Sequence, residues 1–305
     1  MKKIRLGNSD MQVSNISLGC MRIDKLSAKE ANHMIHHAMD LGINFFDHAD
    51  IYAGGRAEKI FANAIGMNDD VREKMFLQTK TGIRNGYYDF SKEHILASVD
   101  GSLKRLKTDY IDVLLLHRPD ALMEPEEVAE AFSQLKESGK VRHFGVSNHH
   151  PLQVELLKKH VKEDLLVNQL QLSVMHTGMI DAGIQVNTKH ENAVNRDGGV
   201  LEYSRLNEMT IQAWSPFQHA TLKEVFIDNE KFPELNEKLQ EIADKHDVTK
   251  SAIATAWILR HPAKIQAVVG TMNADRLTHI AEASDVELTR EEWYEVYRAA
   301  GNEVP

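Results

Sequence analysis

Ile111–His117 reads IDVLLLH, six residues with one break at Asp112 and then a histidine. The run does not alternate between apolar and polar, so it fits a strand buried on both faces, as in a parallel sheet, rather than one with a wet side. What lies on either side makes the same case. Ser91–Asp109, SKEHILASVDGSLKRLKTD, precedes it and opens on a capping serine. Glu124–Lys140, EPEEVAEAFSQLKESGK, follows, with Pro125 at its start and Gly139 at its end. Both are amphipathic helix patterns with ordinary start and stop signals.

Working outward, the unit repeats. Short apolar runs occur as ISLGCM (from Ile16), INFFD (Ile43), KMFLQTK (Lys74), VRHFGVS (Val141), LLVNQLQ (Leu165), TIQAWS (Thr210) and AVVG (Ala267). Helical patterns fall between them, including Ser27–Gly42 with Glu30 three residues after its capping Ser27, and two that begin at Pro151 and Pro233. About eight strand–helix units predict a (β/α)₈ TIM barrel. KIRLG and QVSNISLG around Asn8–Asp10 add an N-terminal β-hairpin. A doubly wound sheet is the competitor, but its glycine-rich phosphate turn would fall at SLGCMRIDKL, which has only Gly19. Two spans break the rhythm and read as long loops, Ser173–Gly199 and Gln218–Phe232.

Bulk properties limit the function. The 305 residues, 42% apolar and 27% charged, suit one barrel domain over 1–305. A net charge of −9 argues against nucleic-acid binding. The single cysteine, Cys20, allows no internal disulfide and suits a reducing cytoplasm. The first ten residues lack the apolar stretch of a signal peptide, and the apolar runs are too short to span a membrane. Nothing calls for an oligomer.

In a barrel, chemistry sits where strands end at their C-terminal side. The residues that stop the runs are Asp47, Lys80, His117, Ser147 with Asn148, Gln169, Trp214 with Ser215, and Gly270 with Thr271. Tyr52 follows Asp47 closely, beside Gly54 and Gly55. A phenol is a poor proton donor near neutrality unless something tunes it, and a nearby ammonium is expected to lower its pKa. A buried lysine in turn needs a carboxylate. Asp47, Tyr52 and Lys80 supply these parts, and His117 is placed to hydrogen-bond a substrate oxygen. The chemistry this suits is protonation of a carbonyl oxygen while a hydride arrives at carbon. No side chain donates hydride, so a nicotinamide cofactor is required. Trp214 is suited to stack on a flat ring, and Ser147, Asn148 and Gln169 to hold a carboxamide. Asn273 reads as a helix cap, and Arg276 in the first turn suits a bound phosphate. There are 16 histidines, but the His-x-His of a metal-dependent barrel hydrolase is not among the first-strand residues, so no metal is expected.

The motifs FFDHADIYAGG, LQTKTG, IDVLLLHRPD, GKVRHFGVSNH, VNQLQLS and AWSPF, in this order, resemble the aldo-keto reductase family, most closely its bacterial members. The resemblance implies a barrel, NADPH and metal-free reduction of a small-molecule carbonyl substrate. It implies Tyr52 as general acid, tuned by Lys80 and Asp47, with His117 orienting the carbonyl. Met21, Asp47, Ser147, Asn148, Gln169 and Trp214 would contact the nicotinamide end. Ser215, Pro216 and Phe217 would follow the pyrophosphate, and Gly270, Thr271, Met272, Asn273 and Arg276 the adenosine 2′-phosphate. Gly270 stands where many members have lysine, and His279 and Ile280 where many have Glu-Asn. The tail after Arg298 is short, which shifts substrate contact to the loop Ser173–Gly199. An alternative within the same family is a nicotinamide-binding regulatory or sensor subunit with little turnover.

Overall fold

Lys3–Arg5 (β1) and Gln12–Ser14 (β2) pair antiparallel, Lys3 opposite Ser14, in the computed structural model, which describes residues 1–219 and 224–304. The expected hairpin is present, but its second arm is divided. The chain leaves it at Asn15, and Ile16–Gly19 (β3) becomes a barrel strand. The other barrel strands are Phe45–Asp47 (β4), Phe76–Thr81 (β5), Ile111–Leu116 (β6), Val141–Ser147 (β7), Leu165–Gln171 (β8), Thr210–Trp214 (β9) and Gln266–Val269 (β10). They pair in parallel and in sequence order, and β10 closes onto β3. Closure leaves no free sheet edge.

The absence of alternation in IDVLLLH now has its cause. All six residues of β6 are buried. Leu114 and Leu116 join the larger core shared with the helices. Val113 and Leu115 join a second cluster inside the barrel with Phe45, Leu166 and Val167. The hairpin's Leu6, Met11 and Val13 complete that inner cluster. Each fully buried side chain of this kind contributes roughly 1.5–3 kcal/mol. The hairpin sits tightly because residue 7 is glycine. It has φ +55°, and a Cβ there would come within 2.8 Å of the Leu166 carbonyl oxygen.

The helix caps are those the sequence announces. Ser27 and Glu30 form a capping box, Ser91 accepts from the His94 amide, and prolines open the helices Pro125–Glu137, Pro151–Lys158 and Pro233–His246. Trp257 and Trp293 stack at 4.7 Å, each indole N–H donating to the other's backbone carbonyl. The span Ser173–Gly199 is more ordered than its sequence suggests, with a helix at Gly178–Ile184 and a 3₁₀ turn at Glu191–Ala193. The C-terminal segment holds it in place. Tyr297 Oη donates to Asp181 at 2.6 Å, and Gln185 Nε2 to the Glu303 carbonyl at 2.9 Å. Part of the span Gln218–Phe232 lies outside the described residues.

Candidate active site

Asp47 ends β4, Lys80 is the penultimate residue of β5, and His117 follows β6 directly. Asp47 lies opposite Gln78 in the register, and Lys80, two residues further on, points to the same side. The strands thus deliver carboxylate and amine to one place. Lys80 Nζ donates to Asp47 Oδ2 at 2.7 Å, to the His48 carbonyl at 2.8 Å and to Tyr52 Oη at 3.0 Å. An ammonium has three hydrogens, so all are used. The Tyr52 hydroxyl accepts from Lys80, which leaves its own hydrogen free for another acceptor.

Tyr52 begins a short turn in which Ala53, Gly54 and Gly55 all have positive φ. Two glycines lower the cost of that left-handed run. Gly55 has a second reason. A Cβ there would meet Arg105 at 3.3 Å, and Arg105 is fixed by Glu58, fully buried, at 2.6 Å. Glu58 also accepts from Thr79 Oγ1 at 2.6 Å. The Tyr52 turn therefore rests on an ion pair that the sequence reading did not single out.

Beneath Lys80 lies a second unanticipated feature. Gln78 Nε2 and Gln169 Nε2 donate to Asp47 Oδ1 at 2.6 and 3.0 Å. Both also donate to Gln212 Oε1, and Gln212 Nε2 donates to Gln266 Oε1. This chain of amides fixes the carboxylate and supplies hydrogen bonds inside an otherwise apolar barrel, where unpaired polar groups are costly. A glutamine inside three apolar runs, and one just before the run AVVG, was the available signal.

Burial sets the protonation states. It pushes the Tyr52 phenol up; the Lys80 ammonium pulls it down but does not cancel the rise. The expected lowering of the tyrosine pKa is thus corrected for the resting site, because desolvation outweighs one charge. Burial also opposes the Lys80 charge, yet Asp47 and Tyr52 together hold its pKa above the ordinary value. His117 is pushed down to about 2 by burial, then by Lys80 and Arg118. At neutral pH Tyr52 carries its proton, Lys80 its charge, and His117 is a neutral imidazole. The Tyr52 and His117 rings lie edge to face at 6.0 Å.

The residues expected at the nicotinamide end are brought together, with their groups largely spent on one another. Asn148 Nδ2 donates to Ser147 Oγ at 2.8 Å, and Ser147 Oγ donates to the Gln169 carbonyl at 2.9 Å. Trp214 Nε1 donates to Asn148 Oδ1 at 3.1 Å, fixing the indole plane. Asn148 and Ser215 both have positive φ, at 59° and 54°. Such backbone is uncommon for residues other than glycine and costs of order 1 kcal/mol or more. Pro216 and Phe217 continue the turn after β9, and the Phe217 carbonyl accepts from the Phe226 amide. Met21 is exposed in the 3₁₀ turn that follows β3.

At the end of β10, Thr271 Oγ1 accepts from the Asn273 amide, and Asn273 Oδ1 caps the helix Ala274–Ala281 through the Arg276 amide at 2.8 Å. Arg276 is exposed and Met272 partly buried. Arg22 donates to the Gly270 carbonyl at 3.2 Å, which brings a second guanidinium to this corner from a different loop. Cation side chains, a capped helix N-terminus and free amides make a donor set that fits a phosphate. Among the described residues no group of three or more His, Cys, Asp and Glu is placed to hold a metal ion. No helix among them is long and apolar enough to cross a membrane.

A closed parallel barrel that gathers a carboxylate, an ammonium, a phenol and a neutral imidazole at its C-terminal mouth belongs with the barrel oxidoreductases. The comparisons are specific. The profile of the Aldo/keto reductase family matches residues 15–300. The chain is 36% identical to the uncharacterized oxidoreductase YcsN of Bacillus subtilis, with both chains covered completely. It is 34% identical to a 6-dehydroglucose reductase of Agrobacterium fabrum, again over the whole of both. Among solved structures, a thermostable aldo-keto reductase, Tm1743, determined with the inhibitor epalrestat, shares the fold. Its TM-score is 0.77 over 98% of this chain and all of that one, at 24% identity. The chain belongs to the aldo/keto reductase family and is an oxidoreductase.

Proposed function

We propose that the protein reduces aldehyde or ketone carbonyls to alcohols with NADPH, and that Tyr52 is the proton donor. The observation that carries this is one buried ammonium shared by two groups, with Lys80 Nζ 2.7 Å from Asp47 Oδ2 and 3.0 Å from Tyr52 Oη. When bound, the cofactor supplies the hydride. The chain's own residues manage the oxygen. As negative charge develops there it becomes far more basic than a phenolate, and the free Tyr52 hydrogen goes to it. The phenolate left behind is stabilised by Lys80, already in place and needing no reorganisation. His117, neutral, offers a ring N–H to the same oxygen. The raised tyrosine pKa keeps the proton in place until that moment.

For the cofactor, Trp214, Asn148, Ser147 and Gln169 would form the wall against the nicotinamide. Ser215, Pro216 and Phe217 would follow the pyrophosphate. Asn273, Arg276, Thr271 and Met272, with Arg22 beside Gly270, would hold the adenosine phosphate. The reading needs no metal, nucleic acid, membrane or second subunit, and a buried, unpaired Cys20 suits a cytoplasmic setting. A regulatory subunit with little turnover would not need the complete set of Asp47, Tyr52, Lys80 and His117, so catalysis is preferred. Tyr52→Phe tests the proposal. A positioned general acid contributes about 10²–10⁴-fold, so aldehyde-dependent NADPH oxidation should fall by about that factor. NADPH affinity, read by fluorescence titration, should stay within a few-fold. Turnover retained in this variant removes Tyr52 from the acid role.

A further inference from the structure

Beyond the tetrad, among the loops that follow β6, β7 and β8, lies a cavity of about 560 Å³. Its lining includes Arg118, His149, Gln171, Arg196 and Trp214. Arg118 follows His117 in the chain, so it stands at the same strand end as the residue proposed to orient the carbonyl. Its guanidinium lies 5.7 Å from the centre of the Trp214 ring. Among the described residues no carboxylate pairs with Arg118 or with Arg196. The acidic groups on the same walls are engaged elsewhere. Asp181 accepts from Thr177 Oγ1 at 3.0 Å and from Tyr297 Oη at 2.6 Å. Asp197 Oδ1 accepts from the amides of Gly199 and Val200. Among the described residues neither guanidinium is held in an ion pair, although both carboxylates stand on the same walls.

Two residues of the lining also carry buried side-chain nitrogens without partners. His149 is 2% exposed and donates from Nδ1 to the Ser147 carbonyl at 2.9 Å. That bond fixes the tautomer and leaves Nε2 as an acceptor with no partner. Gln171 Nε2, a donor, has none either. Buried polar groups are seldom left so unless something else completes them. The cationic corner proposed for the cofactor phosphate is at the end of β10, four strands around the barrel from β6, so Arg118 is not needed there.

We infer that this cavity binds small carbonyl compounds that carry an anionic oxygen group, with Arg118 as the residue that recognises the anion. A carboxylate or phosphate would face Arg118, whose planar fork suits either. The word carbonyl rests on the reductase reading, whereas the anion site stands on the cavity itself.

The test separates the two. Cofactor-free protein is titrated with glycerate and its neutral amide, and with glycerol 3-phosphate and glycerol, followed by tryptophan fluorescence. Wild type should bind at least one anion tenfold or more tightly than its neutral counterpart, and whether glycerate or the phosphate does so identifies the group. Arg118→Met should reduce that preference to less than threefold, and Arg118→Lys should restore part of it. Equal binding of both charged and neutral pairs by wild type, or an unchanged preference in Arg118→Met, overturns the assignment. In parallel, glyceraldehyde 3-phosphate and glyceraldehyde are offered with NADPH. Absence of any turnover there counts against the reductase reading, while the binding titrations still decide the anion site.

Discussion

Lys80 is the residue on which the proposed chemistry turns, and replacing it separates its two effects. Lys80→Met removes a fully buried ammonium 3.0 Å from Tyr52 Oη. With an effective dielectric constant of about 20, unit charges at that distance attract by about 5.5 kcal/mol, a ceiling of about four decades in rate. Part of that attraction is offset by solvent and relaxation, so kcat should fall by about 10²–10⁴-fold, in line with a disabled general acid. The same substitution strands Asp47, whose side chain is only 3% exposed, without its counter-charge. Breaking a buried pair in this way costs about 3–5 kcal/mol. Adding Asp47→Asn removes the orphan charge, and the amide oxygen can still accept from Gln78 and Gln169. The double variant should therefore regain most of the stability, read as the urea midpoint, and none of the rate, read under single-turnover conditions with NADPH absorbance. If rate returns together with stability, the ammonium is only a structural support and the proposed tuning of Tyr52 is wrong.

Three further outcomes are expected. Arg276→Ala should weaken NADPH by about 10–100-fold, the scale of a lost charge-assisted hydrogen bond, and NADH by less than threefold; parallel losses for the two cofactors would place the guanidinium away from the 2′-phosphate. Arg105→Ala should lower unfolding free energy by about 3 kcal/mol, because Glu58 is fully buried, and Arg105→Ala with Glu58→Gln should recover much of it; a neutral single variant would show that the pair does not hold the turn. Stability should also fall toward acid. His48 and His149 are pushed down to about 4, and His117 to about 2, all chiefly by burial, so unfolding takes up a proton at each as pH drops below the ordinary histidine value of 6.5. Asp50, pushed up to about 6 by burial, opposes them by releasing a proton on unfolding between its ordinary value of 3.8 and 6. Near pH 5 these four groups leave a net uptake of about two protons, which alone makes stability rise with pH by about 2.7 kcal/mol per unit, and His261, also pushed down to about 4 by burial, acts in the same direction; equal urea midpoints at pH 5 and pH 6 would contradict these histidine states.

The barrel was legible because burial on both faces leaves a direct mark in sequence. The runs around Val113 and Val167 do not alternate, since one side meets helices and the other the inner cluster. Helix starts were legible because caps act within three or four residues, as Ser27 with Glu30 and Asn273 with Arg276 do. What was hidden depends on distant contacts. QVSNISLG reads as one arm and ISLGCM as a barrel run, and only barrel closure onto β10 decides between them, taking Ile16–Gly19 away from β1. The helix Gly178–Ile184 contains two glycines and is weak by propensity. It is held by Tyr297 and by the carbonyl of Glu303, more than a hundred residues later in the chain.

The site divides along the same physical line. Asp47, Lys80 and His117 could be picked out because each is a charged or polar group that ends an apolar run, an arrangement a strand does not adopt without a reason. Gln78 and Gln212 lie inside their runs and Gln266 just before its own, and a glutamine there has no stated partner until the register sets Gln169 beside Gln212 and Gln212 beside Gln266. The sign of the Tyr52 shift was hidden for a related cause. Sequence names the ammonium that lowers a phenol's pKa, but not how much water the fold removes, and removal of water is the larger effect here. The rise makes the phenol a weaker acid, and the Lys80 ammonium is what limits it while the proton stays in place at neutral pH. A phenol that ionised early would hold a phenolate against Lys80 and have nothing to give, whereas this one keeps its proton until an oxygen more basic than itself appears beside it.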